Sequence, residues 1–181
     1  MRKPPYRIAL TGTESTGKTT LAQQLAAHFQ ADYVPEYARQ YIAELERPYH
    51  LEDIEQIAKM QCHIEDECAK KSRHELLFCD TELIVTKIWA ENAFQRIPKW
   101  ISDALRNRPQ HDLYLLMDID LPWQPDPQRE HPHLRQYFFE WYQKELNAYG
   151  VNWVLISGVG AARRQQAIEA VEHLLAQKQL K

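Results

Sequence analysis

Gly12-Thr13-Glu14-Ser15-Thr16-Gly17-Lys18-Thr19 sets two glycines five apart and follows the second with Lys-Thr, a spacing suited to wrapping phosphate oxygens. The glycines let the backbone curl so that successive N–H groups point into one concavity, and a helix starting there adds its positive end. Lys18 can reach the β- and γ-phosphates, and the Thr19 hydroxyl can ligate Mg²⁺. The expected contacts of a bound nucleoside triphosphate are Gly12, Glu14, Ser15, Thr16, Gly17, Lys18, Thr19 and Thr20, with ATP and Mg²⁺ as the cofactors. An ordinary glycine-rich turn is the plainer alternative.

Two carboxylates follow apolar runs further on. Asp80 ends Leu76-Leu77-Phe78-Cys79, and Glu36 comes shortly after Tyr33-Val34. Thr19 alone cannot hold Mg²⁺, so Asp80 is the candidate second metal ligand, directly or through water; it is also placed to cap the helix that follows. Glu36 can accept the proton of an attacking hydroxyl, or it can be an acidic residue favoured by a helix dipole. Arg39 shares its helix face and can pair with it or meet substrate. Tyr37 and Tyr41, one turn apart, read more readily as a core stripe than as a stacking platform.

The segment 121–135 is too rich in proline for a helix and opens just after an apolar run. It is the candidate lid. Arg129, and less directly Arg135, can bring positive charge to a migrating phosphoryl group while the loop excludes water. Trp123 either anchors the loop on the core or stacks on a planar ligand ring. His131 and His133 lack a third ligand at metal-site spacing and read as surface residues.

The elements that must position these groups are legible as alternating periods. Apolar strand candidates fall at 8–10, 33–34, 76–79, 113–117 and 153–156. Helical patterns fall at 19–29, from Pro35-Glu36 to about 42–45, and at 51–72, 83–94, 100–105, 133–149 and 161–177. In 51–72 the charges between Ile54, Ile57, Ala58, Ile64 and Cys68 are expected to face water. Alternation of this kind predicts an α/β fold, a P-loop three-layer architecture with about five parallel strands flanked by helices. Ligands of such sheets sit beyond the strands' carboxyl ends, where the P-loop, Glu36 and Asp80 would converge.

Composition narrows the partner. The 181 residues suit a single domain spanning 1–181, and a net charge of −3 supplies no basic face for nucleic acid, so a small phosphorylated ligand is the better fit. Cys62, Cys68 and Cys79 form no CxxC pair and read as reduced thiols. No apolar run approaches a membrane span and the first five residues carry no signal core, so the expected setting is the cytoplasm.

Taken together, Gly12-x-Glu14-Ser15-x-Gly17-Lys18-Thr19, Glu36-Tyr37-x-Arg39, Asp80-Thr81 and Trp123-x-x-Asp126-x-x-Arg129 resemble the ribosylnicotinamide kinase domain of NadR-type NAD-biosynthesis proteins. These are P-loop kinases, an AAA-type ATPase/kinase domain distantly similar to deoxynucleoside kinases. The resemblance covers nearly the whole chain. It implies transfer of the ATP γ-phosphate to the 5′-hydroxyl of ribosylnicotinamide, giving nicotinamide mononucleotide. Lys18, Glu36, Asp80 and Arg129 would be catalytic, with Glu36, Tyr37, Arg39, Asp80 and Trp123 at the nucleoside. Larger relatives add a helix-turn-helix and an adenylyltransferase domain, for which the residues before Gly12 leave no room, so neither activity is implied. Pro127 stands where some relatives carry glycine, which bears on lid closure. Another nucleoside as acceptor, or an ATP-binding regulatory module without turnover, are the competing readings.

Overall fold

The computed structural model describes residues 3–180. Its twelve elements run β1 (Tyr6–Thr11), α1 (Lys18–Phe29), β2 (Asp32–Val34), α2 (Tyr37–Glu44), α3 (Leu51–Lys71), β3 (Leu76–Asp80), α4 (Leu83–Phe94), α5 (Lys99–Asn107), β4 (Leu113–Met117), α6 (Arg135–Ala148), β5 (Trp153–Ile156) and α7 (Gly160–Gln179). All strand pairs are parallel, in the order β2-β3-β1-β4-β5. The sheet is the one the alternating periods predict.

Helices cover both faces, which is why β3 and β4 are apolar and buried at nearly every position rather than alternating. Ile8, Leu10, Phe78 and Leu115 pack with Leu21 and Leu25 of α1 and Ala167 and Val171 of α7. On the opposite face Ala9, Tyr114 and Leu116 meet Ile84 and Ile88 of α4 and Phe138 and Tyr142 of α6. Strands β3 and β2 lie to one side of β1, and β4 and β5 to the other. The order therefore reverses at β1, whose carboxyl end opens the crevice in which such sheets take ligands.

Two local expectations are corrected. Helix α2 buries no residue, so Tyr37 and Tyr41 are not a core stripe. Their rings stand 6.0 Å apart, and the Tyr41 hydroxyl donates to Asp53 at 2.8 Å. In α3 one of the charges expected to face water, Glu65, is buried, and so is Asp53 just before the apolar stripe. Asp53 accepts from the His50 N–H at 2.7 Å and binds both Arg47 nitrogens, which hold its carboxyl well below the usual range.

Candidate active site

The loop after β1 turns on residues that can take positive φ: Gly12 at 126°, Ser15 at 57° and Gly17 at 77°. A Cβ on Gly12 would stand 3.2 Å from the Met117 carbonyl oxygen, and one on Gly17 would stand 3.2 Å from Leu121 Cδ1. Strand β4 and the following segment thus press against the loop. Lys18 opens α1, and its Nζ donates to the carbonyls of Gly12 at 2.8 Å and Thr13 at 2.7 Å. Burial lowers its pKa, opposed chiefly by the carboxylates of Glu36, Asp80 and Glu14. Those four groups therefore share one electrostatic neighbourhood.

Glu36 precedes α2 and pairs with Arg39 Nε at 3.3 Å. Burial is the largest influence on its carboxyl and raises its pKa, while Lys18 lowers it. Asp80 ends β3 and is almost wholly buried. Its Oδ2 accepts from the Tyr33 hydroxyl at 3.3 Å, and its Oδ1 has no hydrogen-bond partner. Nor does the neighbouring buried Thr81 hydroxyl, on a residue held at φ 81°. The cap of α4 is Glu82, whose carboxylate accepts from Ile84 N–H at 2.6 Å, so Asp80 is free of that duty. An unpaired buried acceptor beside a strained backbone costs roughly 1–3 kcal/mol apiece and marks a site built for something else.

The irregular 118–134 segment lies over the P-loop through specific bonds. Gln124 N–H donates to Ser15 Oγ at 2.8 Å, and the N–H groups of Glu130 and His131 donate to Glu14 Oε2 at 3.2 and 3.4 Å. Arg129 Nη1 reaches Ser15 Oγ at 3.5 Å and the Gln124 carbonyl. Arg135, at the start of α6, donates to the carbonyls of Leu121 at 2.8 Å and Ser15 at 3.3 Å. Asp126 pairs with Arg39 at 3.2 Å, linking this segment to α2.

Beneath it lies a cavity of about 800 Å³. Its lining includes residues 12–20 with Arg163 and Arg164, and also Glu36, Arg39, Tyr49, Trp89 and Asn92, with Arg129 and His131 on the overlying segment. Of the residues singled out from sequence, Asp80, Tyr37, Trp123 and Arg135 do not line it. Asp80 closes β3; Tyr37 offers its N–H to Gln61 Oε1 at 2.9 Å; Trp123 is half-buried; Arg135 is spent on the carbonyls of Leu121 and Ser15. His131 is not merely a surface residue, since its Nε2 lies 3.1 Å from Asn92 Nδ2 in the wall.

Sequence reasoning missed Tyr49, Trp89, Asn92 and Arg163. The first three belong to helices and a turn without a motif. Arg163 is almost fully buried and donates to the carbonyls of Thr16 at 3.1 Å, Asp118 at 3.0 Å and Gly158 at 2.8 Å, besides pairing with Asp120. A cation near a helix N-terminus opposes the macrodipole, and that was the available signal.

A parallel five-stranded sheet, a P-loop at the carboxyl end of its central strand and a segment bonded across that loop define a P-loop α/β protein of the nucleoside- and nucleotide-kinase type of fold. The family model described as an AAA domain matches residues 7–164, and the chain belongs to that family. It is 29% identical over 123 residues to the trifunctional NAD biosynthesis/regulator protein NadR of Salmonella typhimurium, and equally to that of Escherichia coli K12. Each match covers 66% of this chain and 30% of the relative. Among solved structures, a NadR protein in complex with NR superposes with a TM-score of 0.75 at 23% identity, over 94% of this chain and 50% of that one. A thymidylate kinase from Ehrlichia chaffeensis superposes at 0.67 and 14% identity, over 93% and 100%. Among the described residues no helix is long and apolar enough to cross a membrane.

Proposed function

We propose that the chain transfers the γ-phosphate of ATP to the 5′-hydroxyl of ribosylnicotinamide, giving nicotinamide mononucleotide and ADP. The observation that carries this reading is one continuous cavity joining the P-loop to a wall of Glu36, Tyr49 and Trp89 beneath a bonded lid, 121–135. A NadR relative has been solved with NR, and another with NAD and AMP-PNP, which supports this choice of donor and acceptor.

In this reading the loop amides and Lys18 hold the triphosphate, and the acceptor's ribose lies against α2. The 5′-oxygen forms a bond to the γ-phosphorus as the bond from that phosphorus to the β–γ bridging oxygen breaks. Glu36 takes the hydroxyl proton. It lines the cavity, whereas Asp80 does not, and its raised pKa brings a carboxylate nearer the pH at which a base is most effective. Arg129, on the lid and within reach of Ser15, meets the charge on the transferred group. Lys18 does so from below. Trp89 and Tyr49 present aromatic surface to the acceptor's ring, and a pyridinium cation gains from an indole face.

The residues present fit Mg²⁺. Asp80 Oδ1 is an anionic oxygen without a partner, and the Thr19 hydroxyl opens the same helix as Lys18. Thr19 and Asp80 would hold the ion, which supplies positive charge against the phosphate oxygens.

The test is phosphate transfer from ATP across ribosylnicotinamide and common nucleosides, read as kcat/KM. Preference for ribosylnicotinamide is expected. Preference for a deoxynucleoside would move the acceptor, and tight ATP binding with no acceptor phosphorylated would leave a regulatory module instead. Glu36→Gln should keep ATP affinity while kcat falls by roughly 10²–10⁴. Unchanged turnover in that variant transfers the base role to Asp80.

A further inference from the structure

The face of the sheet under α3 carries polar groups that phosphate transfer does not use. Ala9 in β1 is registered between Cys79 of β3 and Tyr114 of β4, so the three side chains share one face. Glu65 descends toward it from α3, and His111 enters from the turn before β4. A Glu65 carboxylate oxygen, Cys79 Sγ and a His111 ring nitrogen all lie within 4.8 Å of one another.

These groups are poorly satisfied by the protein. His111 Nε2 is 3.3 Å from Glu65 Oε2, yet it is buried and makes no hydrogen bond. Glu65 is 3% exposed, and its other oxygen meets only Gln61 Nε2, at 3.5 Å. A cavity of about 30 Å³ is lined by Glu65, Glu82, His111 and Cys62 among others, with Cys79 outside its lining, and is large enough for a water or a single ion. Two carboxylates exclude an anion. The nearby cations are already matched, since Asp66 binds Arg7 and Arg108, each at 2.9 Å. Glu82 is likewise occupied by Thr11 Oγ1 at 2.8 Å and by Ile84 N–H.

We infer that Glu65, Cys79 and His111 form a binding site for a divalent transition-metal ion of the zinc class, separate from the phosphate-transfer site. One thiolate, one imidazole and one carboxylate make a borderline-soft donor set that suits zinc better than Mg²⁺, with a water from the cavity as fourth ligand. Bond lengths of about 2.0–2.3 Å require the donors to close by roughly 1 Å. Without metal, burial keeps the Cys79 thiol protonated, its pKa well above the ordinary value. Binding therefore breaks the S–H bond, forms a metal–sulfur bond and releases one proton to water. The ion would fasten α3, β3 and the entry to β4 together, and so bind the folded chain in preference to the unfolded one.

The experiment uses the full chain, stripped with chelator and titrated with Zn²⁺ alone and with Co²⁺ alone. Expected are one ion per chain, a higher Tm with Zn²⁺, and a thiolate-to-cobalt charge-transfer band. Cys79→Ser and His111→Gln should each weaken binding at least roughly tenfold and abolish or shift the band, while the double variant Cys62→Ser, Cys68→Ser keeps both. Circular dichroism in chelator checks that each variant folds. Should Cys79→Ser fail to fold, His111→Gln and the wild-type cobalt spectrum decide. Absence of the band, or stoichiometric binding that survives both substitutions, overturns the site and leaves the cavity holding water only.

Discussion

The two groups of residues that line the cavity are built in different ways. The donor group is almost one stretch of chain, residues 12–20, whose useful atoms are mostly backbone N–H groups set by two glycines and a helix start. The acceptor group takes Glu36 from the start of α2, Tyr49 from the α2–α3 connection, Trp89 and Asn92 from α4, and Arg129 and His131 from the lid. A backbone cradle depends on local φ and ψ, so it tolerates change around it. A wall assembled from four segments depends on the packing of each, and can be retuned one residue at a time.

That contrast is most open to breaking at Lys18. Lys18→Ala removes the main side-chain cation of the cradle, and kcat/KM for transfer should fall roughly 10³-fold. Weakened ATP binding in a direct titration should accompany the loss. Near-normal transfer would mean that the backbone alone suffices. Arg129→Ala should be smaller, about 10²-fold in kcat, because Lys18 continues to neutralise part of the phosphoryl charge. ATP affinity by the same titration should change little.

Trp89→Ala should act on the acceptor wall alone. Losing an aromatic face worth about 1–2 kcal/mol should raise KM for the nucleoside roughly tenfold while KM for ATP holds. A parallel change in both would show that the two groups are not separable. The pH profile sharpens the same point. As the proposed base Glu36 would work deprotonated, and burial raises its pKa, so activity should drop on acidification above the ordinary carboxylate range. The acid limb of kcat/KM against pH checks it.

How much of this was legible follows the same divide. The P-loop could be read directly because its chemistry is local: residues 12 and 17 need positive φ, and glycine supplies it. The sheet was legible for a related reason, since burial on both faces turns β3 and β4 into continuous apolar runs. Asp80 could be placed at a strand end, but not its absence from the cavity lining or its bond to the Tyr33 hydroxyl, which depend on how β2 and β3 pack. Tyr49 and Trp89 carry no sequence signal, because an aromatic residue looks alike in sequence whether it faces a core or a ligand. Glu65 was misassigned for the opposite reason: a charge in an amphipathic helix is expected in water, and this one is buried beside His111 and Gln61.

Glu14 lies on both sides of the comparison, for it belongs to the cradle and binds the lid. Its carboxylate takes N–H groups of Glu130 and His131, yet as an anion beside a triphosphate it opposes donor binding. Glu14→Gln keeps an acceptor oxygen and removes the charge, so the lid bonds should weaken to neutral strength. ATP should then bind as well or better, while kcat falls a few-fold, since about 1 kcal/mol is at stake in each bond. A loosened lid admits water, so ATP hydrolysis without acceptor should rise relative to transfer, and the ratio of the two rates is the measurement. Burial raises the pKa of Glu14, so its proton is taken up early on acidification. The wild-type ratio should therefore approach that of Glu14→Gln as the pH falls through that raised value. An unchanged ratio in Glu14→Gln would show that Ser15, through Gln124 and Arg135, holds the lid without it.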